Sequence, residues 1–232
     1  MKKIFQISLL LLSVLAFSQN ALAQKKMKEG SVVFTIDTED ADSPEMMMMA
    51  GTTLTFYFNS EMQRMDMNMM GGMMRIQTFS KAGNSLEATM FMDMMGKKIQ
   101  ISELNSEEMS QANNYMNFEN ATDISYDEKD KKKIAGYDCY KAIIKTKEGQ
   151  VMSYYITEKI TPPATQVDKI MSLKGYPLEM TVDTGQGMVM TFVATEVNSK
   201  LNKTDLEYPT GYQKMTMEEF QNEMGGAGGF GN

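Results

Sequence analysis

The stretch EMQRMDMNMMGGMMRIQTFS, residues 61–80, holds seven methionines in twenty positions. Met65, Met67 and Met69 alternate with Asp66 and Asn68; Gly71-Gly72 interrupts the run, and MRIQTFS (74–80) resumes it. A period of two is the mark of a strand, because successive side chains point to opposite faces of a sheet. Two such runs around a Gly-Gly pair predict a β-hairpin. The three methionines are therefore expected on one strand face, with Asp66 on the other.

The pattern extends in both directions. Upstream, SVVFTID (31–37) and TTLTFYFN (52–59) are rich in β-branched and aromatic residues and flank the acidic loop DTEDADSPE. Downstream, SLEATMFMDM (85–94) places Met90, Met92 and Met94 in alternation, and Gly96 reverses the chain into KKIQIS. Further strands are expected over DISYDE, YDCYKAIIKT (137–146), VMSYYITEK (151–159), YPLEMTVDT and GMVMTFVATEVN, with KDKKK read as a charged turn. In the last of these, Met188 and Met190 repeat the alternation. Helices are expected over NSEEMSQANNYM (105–116), over TQVDKIMSLKG and over TMEEFQNEM, where Thr216 and Glu219 have capping-box spacing. The expected fold is mainly β (α+β): an antiparallel sheet of about nine to eleven strands with two or three short helices.

The chain opens MKKIFQISLLLLSVLAFSQNALAQ. Lys2 and Lys3, a short apolar run and the small residues Ala21 and Ala23 read as a secretory signal peptide cleaved after Ala23. The run is too short for a membrane span, which needs about 20 apolar residues. The expected organisation is a signal peptide (1–23), a single β-rich domain (24–224) and a glycine-rich tail (225–232). The product is expected to be soluble, exported to the periplasm and without a transmembrane anchor.

A net charge of −7 opposes binding to nucleic acid and to anionic membrane surfaces. Histidine is absent, so no Ser-His-Asp triad, Cys-His pair or ordinary zinc site can form. No catalytic residue and no cofactor are assigned. Cys139 is the only cysteine and is expected to be a buried, unpaired thiol.

The methionines are then the residues to explain, since positions 46–95 carry 15 of the 27. They could fill a core, although methionine specifies packing poorly. They could line a site for a variable apolar ligand, where flexible thioethers repack around different guests. Or MDMNMMGGMM could supply thioethers to Cu(I), through Met65, Met67, Met69, Met70, Met73 and Met74. Their density favours the ligand wall, with Met65, Met67, Met69, Met90, Met92, Met94, Met188 and Met190 as its residues. Asp66 and Asp93 alternate away from this face and are expected to be exposed.

Three stretches carry a resemblance: KKIAGYDCYKAIIKTKEG (132–149), LKGYPLEM (173–180) and LEYPTGYQKMTMEEF (206–220). In this order they resemble a family of exported bacterial proteins classed as a domain of unknown function. That family is similar to the LolA-like carriers of lipoproteins and lipids. The resemblance implies a half-open antiparallel β-barrel with short helices capping its open side around an apolar cavity. The partner it implies is a hydrophobic small molecule, lipid or lipoprotein.

Overall fold

The computed structural model describes residues 26–38, 51–82, 84–104, 121–147, 151–162, 173–183 and 189–226, together with Met49 and Gly149. The strands are β1 (Gly30–Thr38), β2 (Thr53–Phe58), β3 (Met62–Met69), β4 (Met74–Lys81), β5 (Asn84–Met94), β6 (Lys97–Leu104), β7 (Ala121–Ile134), β8 (Tyr137–Thr146), β9 (Val151–Thr157), β10 (Tyr176–Asp183), β11 (Val189–Asn198) and β12 (Gln213–Met215). One helix, α1 (Met217–Gly226), follows them. All twelve strands form one sheet in the order β12-β6-β5-β4-β3-β2-β1-β11-β10-β9-β8-β7.

This is the mainly β, half-open architecture expected from the sequence. β12 and β7 end the sheet and do not pair with each other. The β7 end curls, bringing β7 into contact with β11 although β10, β9 and β8 lie between them. The hairpins follow from their turn residues. Ala135 and Gly136 (φ 46° and 85°) and Met95 and Gly96 (φ 52° and 86°) supply the paired positive φ values that match strand twist. One pairing departs from the antiparallel expectation: β12 runs parallel to β6, with Gln213 opposite Ile99 and Met215 opposite Ile101.

Charged composition misplaces one turn. KDKKK is not a turn, because β7 runs through it to Ile134. The extra residues are absorbed by a bulge between Asp127 and Lys131, and Ala135-Gly136 makes the reversal. The expected helix at 105–116, residues 165–172 of the helix expected over TQVDKIMSLKG, the expected signal peptide and residues 227–232 lie outside the described residues; Leu173, Lys174 and Gly175, the end of that second expected helix, are not helical. Helix α1 forms with the predicted capping box: Glu219 N donates to Thr216 Oγ1 at 3.1 Å, and Thr216 N donates to Glu219 Oε2 at 2.8 Å. It runs to Gly226, two residues into the expected tail.

Two apolar clusters hold the sheet. The larger gathers Val32, Phe34, Leu54, Ile144, Tyr154, Ile156, Leu178, Met180, Met190 and Phe192. The smaller comprises Ala88, Met90, Met92, Ile99, Ile101 and Leu104. The N-terminal side is tied down by Met27, whose N–H donates to Lys159 O (2.7 Å) and whose carbonyl accepts from Thr161 N (2.8 Å).

Candidate functional site

The register of three neighbouring strands sets the methionines in rows. Met65 lies opposite Thr78 of β4, which lies opposite Met90 of β5. Met67, Ile76 and Met92 make the second row, and Met69, Met74 and Met94 the third. Residues directly opposite each other share a face, with Cβ atoms about 4.5–5.5 Å apart. The first two rows continue into apolar partners on both sides: Phe56 and Leu54 of β2, and Ile101 and Ile99 of β6. The result is a strip of thioether and hydrocarbon across five strands.

This strip belongs to both clusters. Met90 (8% exposed) and Met92 (5%) are buried in the smaller one. Met65 and Met67 are half-buried against the larger one. Met69 and Met94 are half-buried at the end of the strip. The cover on the β5–β6 side comes from the C-terminal segment, through Met215, Met217 and Phe220. Met190 is buried on β11 within the larger cluster, between Thr38 of β1 and Val182 of β10. Met188 lies outside the described residues. Of the residues considered for Cu(I), Met65, Met67, Met69 and Met74 sit in the rows. Met70 and Met73 belong to the turn between β3 and β4, and Met73 is 54% exposed.

The opposite face corrects one expectation. Asp66 is buried (7% exposed) and belongs to a charged network. Arg75 grips it in a fork, Nε to Oδ1 at 2.9 Å and Nη2 to Oδ2 at 2.6 Å, and Arg64 Nη2 donates to the same Oδ2. The Gln77 amide oxygen, turned toward the guanidiniums, accepts from Arg64 at 2.7 Å. Burial pushes the Asp66 carboxyl up, but the hydrogen bonds and charges of Arg75 and Arg64 outweigh it and leave it below the ordinary carboxylate value.

The reason for the burial is the segment after β11, which crosses this face. Arg64 Nη1 donates to Asp205 O at 2.7 Å. Tyr208 packs on Phe79 and Phe91, with ring centroids 4.9 and 5.4 Å apart, and Tyr212 packs on Phe91 at 5.2 Å. Two signals pointed that way: Phe79 and Phe91 share the parity of Gln77, and the crossing segment carries YPTGY. Asp93 stays partly exposed on this face, opposite Arg75. Asp66 and Asp93 do not form a carboxylate pair; Arg75 stands between them.

A cleft of about 570 Å³ also opens on this face, lined by Ser31, Val33, Thr55, Tyr57, Lys200 and Asp205 among others. Cys139 is buried (2% exposed), as expected, and burial pushes its thiol up to about 11. Among the described residues no helix is long and apolar enough to cross a membrane.

A family model described as a domain of unknown function (DUF4412) matches residues 43–166, more than half of the chain. No curated protein matches it. Among solved structures, an uncharacterized conserved protein from Thermus thermophilus superposes with a TM-score of 0.46 at 10% identity, over 82% of this chain and 91% of that one. The MucA/MucB complex of Pseudomonas aeruginosa gives 0.45 at 11% identity, over 78% of this chain and 56% of that one. This chain thus spans little more than half of that structure's chain. A putative outer membrane lipoprotein-sorting protein domain from Vibrio parahaemolyticus gives 0.35 at 10% identity, over 83% and 95%.

Proposed function

We propose that this chain, which belongs to the DUF4412 family, is an exported periplasmic protein that binds a hydrophobic ligand, a lipid or a lipidated partner, on its methionine strip. The observation that carries the reading is the register. It brings Met65, Met67 and Met69 into line with Met90, Met92 and Met94, flanked by Leu54, Phe56, Ile99 and Ile101. Unbranched thioethers adapt to guests of different shape, which rigid β-branched side chains in the same rows would not do.

Burying a fully exposed side chain against an acyl chain contributes roughly 1.5–3 kcal/mol at most. Met90 and Met92 are already buried, so the area left for a ligand lies on the half-buried Met65, Met67, Met69 and Met94 and on what the C-terminal cover would expose. Micromolar binding needs ~8 kcal/mol beyond the ordering costs. Part of the strip is covered by a ten-residue helix that rests on it through Met217 and Phe220. A ligand enters by replacing or lifting that cover.

A fluorescent fatty acid titrated into the protein tests the reading. Wild type should bind saturably. Leucine at all six strand positions keeps apolar volume and should retain most of the binding. Met67→Glu, which places a charge on the half-buried part of the strip, should weaken it by more than about tenfold, or 1.4 kcal/mol. No saturable binding by wild type, or binding indifferent to Met67→Glu, would sink the reading.

A further inference from the structure

The third methionine row differs from the other two in being made of sulfur throughout. Met69, Met74 and Met94 lie directly opposite one another on three adjacent strands. The row stands at the end of the sheet where β3 turns into β4 and β5 into β6. Those two turns touch, since Met95 N donates to Met73 O at 3.0 Å. Met73 and Met95 are 54% and 86% exposed, and Met70 lies half-buried in the first turn. Six methionines thus stand at one end of the sheet, three on strand ends and three in two turns that hydrogen-bond to each other.

We propose that this corner is a binding site for a soft monovalent cation, Cu(I), held by Met69, Met74 and Met94, with Met73 and Met95 as entry ligands. Thioether sulfur is a soft, neutral donor that suits Cu(I) and offers little to Zn(II), Mg(II) or Ca(II). Neighbouring positions in the row are about 5 Å apart and the outer two, Met69 and Met94, about 10 Å, so unbranched side chains would have to extend from both sides to an ion seated over Met74. The nearest cation on the same face is Lys97, opposite Met94, and its ammonium is engaged by Glu223 at 2.7 Å. The chain has no histidine, and its one thiol is buried in β8, on the far half of the sheet, so the competing soft donors are the other methionines.

The corner shares Met69 and Met94 with the proposed lipid strip, which also uses the two inner rows. It also has a property that thiolate and imidazole sites lack. Thioethers do not titrate, so Cu(I) affinity should be flat from about pH 5 to 8, where such sites release metal as their ligands protonate.

The test is competition for Cu(I) against a chromophoric chelator under reducing conditions, on the full exported chain carrying Cys139→Ser. One equivalent should bind, with sulfur-only coordination by X-ray absorption and shifted methyl ¹³C resonances for Met69, Met74 and Met94. Replacing these three by leucine should weaken Cu(I) by more than about tenfold, the low end of what a lost supporting group costs a metal site. Met90→Leu with Met92→Leu should leave it unchanged. Should the triple variant fail to fold, Met74→Leu alone, at the middle of the row, should produce the loss. Absence of Cu(I) uptake, uptake indifferent to Met74, or methyl shifts elsewhere would overturn the proposal. Saturable fatty-acid binding by the unsubstituted strip, measured on wild type in parallel, separates this failure from that of the ligand reading.

Discussion

Asp66 carries the heaviest electrostatic responsibility of any side chain described. It is the only carboxylate between two guanidiniums, one of which, Arg64, is as buried as Asp66 itself. Replacing it by asparagine leaves a buried cation without its counter-charge, which costs about 3–5 kcal/mol. Asp66→Asn should therefore lower the urea midpoint strongly, and an unchanged midpoint would show the network to be incidental. The pH dependence has a definite sign. The folded carboxyl lies below its ordinary value, so its contribution is present at neutral pH and is lost as pH falls through the folded value. Wild type should lose stability in that acid window, and Asp66→Asn should lose less. At Cys139, burial raises the thiol to about 11, so a thiol reagent should react slowly with native protein and fast in denaturant. Alternation put Asp66 on the face away from the methionines, and that was legible. What covers that face was not, because parity identifies a side of the sheet and says nothing of a segment that crosses it from more than a hundred residues away.

At the scale of elements, the hairpins were readable because each rests on local chemistry, such as Gly71-Gly72, Gly96 and the alternating runs beside them. β7 was harder to read: its lysines suggested a turn, yet this edge strand has no buried residue on either face from Asp127 to Lys133 and accepts consecutive charges there. β12 has only three residues and a parallel partner, so no local pattern announces it. The capping box of α1 was legible, since Thr216 and Glu219 need only their spacing. Its packing role appears only once β12 places it beside the smaller cluster. Thr216→Ala removes one of the two reciprocal bonds and should cost about 1 kcal/mol, seen as faster amide exchange in α1 with the sheet unchanged. Ending the chain at Thr216 removes Met217 and Phe220 from the cover of the smaller cluster and leaves Met215 in place. If α1 competes with ligand for the strip, this truncation should tighten fatty-acid binding. Weaker binding would make α1 part of the site instead of its cover.

Across the whole molecule, the proposed function joins three features: the proposed signal peptide, whose removal would leave Gln24 at the mature N-terminus, an open sheet, and one face on which seven methionines stand in register. The chain's net negative charge opposes attraction to anionic membrane, so the proposed lipid would be held by apolar contact. Burial of thioether and hydrocarbon is the interaction the strip offers, and ligand retention through purification is its direct consequence. Native mass spectrometry of protein taken from its own cell envelope measures this without choosing a ligand beforehand. The expected result is a chain beginning at Gln24 that carries an additional acyl-containing mass, released on denaturation and diminished in Met67→Glu. A bare chain, or one carrying copper and no acyl-containing mass, would contradict lipid binding on the strip.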